Sequence, residues 1–325
     1  MQFQKYAFIQ AYFSFAPAGI GYNWVVPDSL LRVVSVSLGS ASRDHQADTE
    51  LLGRRFSIER RGTDGDLNQA RALIGELDGK VAAIGLGGID LYVVAGARRY
   101  VMRDAAKLAS AAKITPVVDG SGLKDTLERA TIQKLESDGV IQWKNKRVLL
   151  VSAVDRFGMA EELVRAGADA TFGDLLFILG VPIKLRSLAT IRKLGALILP
   201  VACRLPFKML YPTGEKQNQI RSSPKYRKFY DEAEIIAGDF LLIKRYLPSR
   251  LDGKTVLTNT VTKNDLDLLA ARGVKTLVTT TPEFGGRSFG TNVMEGVFAA
   301  LGARTQDEYR ALLAQLDWQP RVVHF

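Results

Sequence analysis

Short polar runs that follow apolar, β-branched runs hold the residues of this 325-residue sequence that could do chemistry. One is Ser152-Ala153-Val154-Asp155-Arg156-Phe157-Gly158, directly after Val148-Leu149-Leu150-Val151. In open α/β sheets, ligands gather outside the carboxyl ends of the strands. Here Gly158 would open a helix under a pyrophosphate. Asp174, 22 residues beyond Ser152, stands close to where such a unit places its ribose-binding acid. Ser152, Asp155, Arg156, Phe157, Gly158 and Asp174 are therefore the cofactor-binding candidates, for NAD or NADP. Asp174 on a ribose favours NAD, whereas Arg156, Lys184 or Arg186 near it would favour NADP. The glycine-rich turn is missing apart from Gly158, so the plainer reading is an ordinary βαβ unit with Asp174 capping a helix.

Other junctions offer acids, bases and backbone donors. Gly85-Leu86-Gly87-Gly88-Ile89-Asp90 allows close backbone approach, with Asp90 as its polar group. Asp119-Gly120-Ser121-Gly122-Leu123-Lys124 combines N–H groups at a helix start, a hydroxyl and a lysine, which suits an anion. Thr258–Asp265 and Thr279–Asn292 are polar loops, the second glycine-rich and carrying Arg287. Removing a proton from an alcohol needs a general base. Lys124 or Lys263 could serve, oriented by Asp119 or Asp265, so Lys124, Lys263 and Asp265 are the catalytic candidates. Gly87, Gly88, Asp119, Ser121, Arg287 and Asn292 are the substrate-binding candidates. Each has a structural alternative: a tight turn, a capping loop or a long connection.

Positioning these loops takes alternating strands and helices. Strands are expected over 33–38, 56–60, 80–84, 116–118, 146–152, 170–172, 255–258 and 276–281. Helices are expected over 67–77, 104–112, 123–138, 158–167, 225–236, 263–272, 291–301 and 305–316. That alternation predicts an α/β fold with Rossmann-like, mostly parallel sheets and flanking helices. At roughly 100–200 residues per domain, the length predicts two domains: 32–145, and a Rossmann-like 146–325 with closing helices. Residues 1–31 read as an extension of little order. Residues 7–26 are uncharged but interrupted by Gln10, Pro17, Gly19 and Gly21, and fit neither a signal peptide nor a membrane span.

Composition removes several classes. A single cysteine, Cys203, forbids an internal disulfide and fits a reducing cytoplasm. With two histidines, His45 and His324, no Cys/His zinc cluster can be built, and a Ser-His-Asp triad is poorly served. The net charge of +10 is concentrated: residues 181–230 hold eleven Lys and Arg against one acid, Glu215. Such a zone attracts an anionic partner. A small anionic metabolite suits it best. Weak contact with a membrane surface is a further expectation, as is a homodimer. Nucleic acid is disfavoured, because no recognition signature accompanies the charge.

The runs VSVSLGSASRDH, RRGTDGD, IGLGGIDLY, VDGSGLK, LLVSAVDRFGMAEEL and TTTPEFGGRSFGTNVMEG resemble a group of bacterial proteins called quinate 5-dehydrogenases, over about residues 32–302. The resemblance implies NAD(P)-dependent oxidation of a ring hydroxyl on a carboxylate such as quinate or shikimate. The well-studied shikimate and quinate dehydrogenases carry a Gly-Ala-Gly-Gly-Ala turn where Ser152-Ala153-Val154-Asp155-Arg156 stands here. Their lysine stretch precedes the cofactor domain, whereas the nearest likeness here, Asn259-Thr260-Val261-Thr262-Lys263, follows it. The alternatives are a non-catalytic nucleotide- or metabolite-binding protein and a membrane-surface protein.

Overall fold

The computed structural model describes residues 30–95, 98–206, 220–281, 283–284, 287–288 and 290–325. The first half runs β1 (Leu31–Ser37), β2 (His45–Leu51), β3 (Arg54–Gly62), α1 (Leu67–Leu77), β4 (Ala83–Gly87), β5 (Tyr92–Ala95), β6 (Arg98–Val101), α2 (Arg103–Ala109), β7 (Val117–Val118) and α3 (Ser121–Ser137). β1 lies inside the sheet β2-β3-β1-β4-β7, parallel to β3 and β4. Its Val33, Val34 and Val36 are buried on both faces, which is why the run reads apolar without alternation. α1 spans the residues that the pattern predicts. Asp66 accepts from the backbone N–H groups of Asn68 and Gln69, and Ala70, Ile74 and Leu77 make one buried stripe.

The second half runs β8 (Arg147–Leu150), α4 (Phe157–Arg165), β9 (Asp169–Phe172), α5 (Asp174–Leu179), α6 (Leu188–Ala202), α7 (Pro224–Glu232), β10 (Ile235–Ala237), α8 (Phe240–Arg245), β11 (Thr255–Thr258), α9 (Lys263–Ala271) and β12 (Thr276–Thr279). A short ladder of β13 (Glu283–Phe284) and β14 (Arg287–Ser288) follows, then α10 (Thr291–Ala300), α11 (Gln306–Gln315) and β15 (Arg321–His324). The second sheet has the order β15-β12-β11-β10-β8-β9, parallel except for β15. Both sheets are mostly parallel with flanking helices, so the architecture is α/β and Rossmann-like. Among the described residues no helix is long and apolar enough to cross a membrane.

Several elements differ from the sequence reading. β2 is a polar antiparallel edge whose HQADTEL sequence alternates between half-buried and exposed, so no apolar run marks it. The expected helix over 225–236 stops at Glu232. Ala233 turns extended, and the wholly buried Ile235, Ile236 and Ala237 form β10 between β8 and β11. β1 begins at Leu31, inside the expected extension, and residues 1–29 lie outside the described residues. The closing helices do not pack where their place in the chain suggests. α10 lies on β1, β4 and β7 of the first sheet and α11 on α3, before β15 returns to the second sheet. Gly296 permits this, because a Cβ there would come 2.8 Å from Val33 Cγ1.

One apolar cluster joins the halves, from Val36 and Leu86 through Trp143 to Leu150 and Ile191. Trp143 is fully buried, and its indole N–H donates to the Ile132 carbonyl at 2.9 Å. Trp143→Ala is expected to cost about 3–5 kcal/mol, read as a lower midpoint in urea unfolding. A loss near zero would show that the joint is not stabilised by this side chain.

Candidate functional site

α3 starts at the carboxyl end of β7 and runs toward the second sheet, about 25 Å by its 17 residues. Loops from both sheets meet on its first turns. Lys124 Nζ lies 2.9 Å from Asp155, after β8, and 3.9 Å from Asp90, after β4. One helix turn on, Glu128 pairs with Arg156, whose other nitrogen reaches Asp239, after β10, at 3.4 Å. Lys124 is 14% exposed, Asp155 21% and Asp90 30%, so the group opens to solvent at Asp90. It straddles the gap between the carboxyl ends of β8 and β10, which is the switch point of the second sheet.

Asp119 sets this geometry. One carboxylate oxygen accepts from the N–H groups of Leu91 (2.6 Å) and Tyr92 (2.9 Å). The other accepts from the N–H and hydroxyl of Ser121, at 3.1 and 2.7 Å. Asp119 and Ser121 therefore fix the 90–92 loop against the start of α3 and bring Asp90 to Lys124. Their polar groups are spent on that task rather than offered to a substrate. Gly120 has φ 90° and abuts the backbone of Asn292, so only glycine fits there. Its N–H goes to Glu295 at 2.6 Å, and Glu295 also accepts from Tyr309 Oη at 3.0 Å. The donors of the loop expected to hold an anion are taken by carboxyl groups of its own chain, Asp119 and Glu295.

The charges act on one another. Burial opposes a cation at Lys124, but Asp155 and Asp90 outweigh it and raise its pKa, so Lys124 stays an ammonium. Burial pushes Asp90 up to about 7 against the pull of Lys124, with Asp155 and Asp119 adding repulsion. Arg156 is likewise held charged by Glu128, Asp155 and Asp239 against burial. The arrangement can hold an oxygen at Lys124 and exchange a proton at Asp90 near neutral pH. Lys124 as general base is therefore corrected: the carboxylates around it keep its proton on, and Asp90 is the group poised to accept one.

The turn after β8 does not fit a dinucleotide. Asp174, expected on a ribose, is buried, and its two oxygens accept from the N–H groups of Ala153 (3.1 Å) and Val154 (2.8 Å). Those are backbone donors that a phosphate would need. A Cβ at Gly158 would collide with the Asp125 carboxylate, so this glycine serves the packing of α4 on α3. Ser152 and Phe157 are buried, and the Arg156–Asp239 pair bridges the crevice itself.

The remaining candidates lie apart. Asp265 is the N3 residue of a capping box with Thr262 and pairs with Lys244 at 2.7 Å. It orients no catalytic lysine, and Lys263 is exposed at the start of α9. The Thr262-x-x-Asp265 spacing ahead of an apolar run was the signal for that cap. Asn292 donates to Ser35 Oγ at 2.7 Å, docking α10 on β1. Gly87 packs against Ser37 within its sheet, and Gly88 takes φ 69° at the turn. Arg287 lies in β14, and its side chain is outside the described residues, as are Lys208 and Lys216 of the basic zone. Glu128, Asp239 and Glu295 escaped the sequence reading, because no local spacing marks them.

Two stability tests follow from these charges. Arg156→Met leaves Glu128 buried and unpaired and is expected to cost about 3–5 kcal/mol, whereas the double variant with Glu128→Leu recovers most of it. Equal losses in the single and double variants would contradict the pairing. Glu295 is pushed up to about 7 by burial and by Asp119. The folded state then holds its proton where the unfolded chain releases it, so this stability is present below pH about 4.5 and is lost as pH rises toward 7. The thermal midpoint should fall over that window, and fall less in Glu295→Gln. An unchanged profile in the variant would refute the assignment.

Residues 122–325 match the family model described as "Domain of unknown function (DUF8754)", and residues 32–119 match "Domain of unknown function (DUF8753)". No curated protein matches the sequence. Among solved structures, L-tryptophan dehydrogenase from Nostoc punctiforme aligns over 89% of this chain and 80% of its own, at 10% identity and TM-score 0.38. Hetero-hexameric glutamate dehydrogenase from Thermus thermophilus aligns over 89% and 74%, at 13% and 0.40. A sugar transport substrate-binding protein from Bordetella parapertussis aligns over 91% and 89%, at 11% and 0.34. Likenesses this distant carry nothing about the chemistry of the junction.

Proposed function

For a chain that belongs to the DUF8754 family, we infer that the junction binds a small hydroxylated metabolite, with Lys124 holding a ligand oxygen and Asp90 exchanging a proton with a ligand hydroxyl. The observation that carries this is Lys124, pinned by Asp155 at 2.9 Å and facing the partly open Asp90 at 3.9 Å. Two cations stand among Asp90, Asp155, Glu128 and Asp239, so hydroxyl donors suit the junction better than phosphates do.

A second reading is an oxidoreductase that oxidises a ring hydroxyl of a carboxylate such as quinate or shikimate with NAD or NADP. The position of the charges at the switch point between β8 and β10 favours it. The filled turn after β8 counts against it.

Thermal-shift titrations with quinate, shikimate, NAD and NADP separate these readings. A ligand at 100 times its dissociation constant adds about 2.7 kcal/mol of stability. The expected result is a saturable shift with a hydroxylated probe, made through its hydroxyl groups, that strengthens as pH rises through about 7, where Asp90 loses its proton and accepts from them. Asp90→Asn should weaken it about 10- to 100-fold, as loss of a hydrogen bond to a charged group does. Binding that is unchanged in Asp90→Asn, or absent for every hydroxylated probe, would overturn the proposal. A shift with NAD or NADP together with hydride transfer would establish the oxidoreductase.

A further inference from the structure

A second surface is independent of the junction. α5 ends at Gly180, and the chain then runs beside β9, the edge of the second sheet, where Leu185 exchanges backbone hydrogen bonds of 2.7 and 3.2 Å with Phe172. Residues 175–183 carry no charge. Four of them, Ile178, Leu179, Val181 and Ile183, stand 41–53% exposed within six positions. A soluble surface does not ordinarily gather large apolar side chains so closely.

The rim of this strip is basic. Lys225, at the start of α7, reaches the Gly180 carbonyl at 3.1 Å. With Lys184 and Lys228 it lines an open hollow of about 700 Å³ walled by Pro182, Pro224 and Phe229. The two acids of α7 are engaged, Glu232 with Lys184 and Asp231 with Arg227, so Lys225 and Lys228 leave the rim positive. A second copy of the chain is a poor occupant, because a two-fold contact sets each patch against itself and lysine against lysine. A surface both apolar and anionic meets both requirements.

We propose that this strip docks on an anionic phospholipid surface, with Ile178, Leu179, Val181 and Ile183 at the boundary of headgroups and acyl chains and Lys225 and Lys228 against the phosphates. The full chain is sedimented with vesicles of phosphatidylcholine alone and of phosphatidylcholine mixed with phosphatidylglycerol. Co-sedimentation is expected with the mixed vesicles, weakened by salt at about 0.5 M. Lys225→Glu with Lys228→Glu should lower partitioning roughly tenfold or more, and Ile178→Ser with Ile183→Ser should lower it at an unchanged thermal midpoint. Three results would overturn the proposal: no binding, equal binding to neutral vesicles, or undiminished binding of both double variants, which would place the contact on another segment. Self-association abolished by Ile178→Ser with Ile183→Ser, without vesicle binding, would assign the strip to a second copy instead.

Discussion

The Asp119 carboxylate receives four donors, two from the 91–92 backbone and two from Ser121. A buried carboxylate with this many partners fixes the position of whatever donates to it. In this chain the donors belong to the loop after β4 and the first turn of α3, so a single side chain sets the distance between Asp90 and Lys124. From behind, Glu295 ties Gly120 to α10 and to Tyr309. The two glycines of the Asp119-Gly120-Ser121-Gly122 run are there because Asn292 and Glu295 press against them. That run is a joint between three elements before it is a ligand loop.

The same economy explains the filled turn after β8. Backbone N–H groups at the carboxyl edge of a parallel sheet need acceptors. A bound phosphate is one solution and a resident carboxylate is another. Asp174 supplies the second solution to Ala153 and Val154. Arg156, placed where a glycine-rich turn would leave space, must then be neutralised in a low-dielectric setting, and Glu128 and Asp239 do this.

Much of the fold was legible because its elements announce themselves. The apolar runs of β1, β8, β11 and β12 and the capped stripe of α1 have the periods of what they form. What was missed lacked that contrast: polar β2, the three-residue β10 trailing an amphipathic helix, and β15, whose place is set by its pairing with β12. The site was legible in its local half. Asp155 and Arg156 sit in a marked junction loop and Lys124 in the helix turn that follows another, whereas Glu128 lies mid-helix and Asp239 and Glu295 lie far along the chain, where only the folded topology brings them in. Asp90 was visible as a polar group, but its role depends on Lys124, 34 residues away.

The return of α10 and α11 to the first sheet bears on how the chain is made. β7 leaves the ribosome about 170 residues before α10 does, which at 5–20 residues per second is roughly 10–35 s. Through that interval the only helix of their cluster available to Val33, Phe56 and Ile58 is α3, through Leu123 and Leu127, since Val297 and Phe298 are not yet synthesised. The nascent first sheet thus stays partly uncovered until α10 is made, and the amino-terminal half alone would lack that share of its apolar cover.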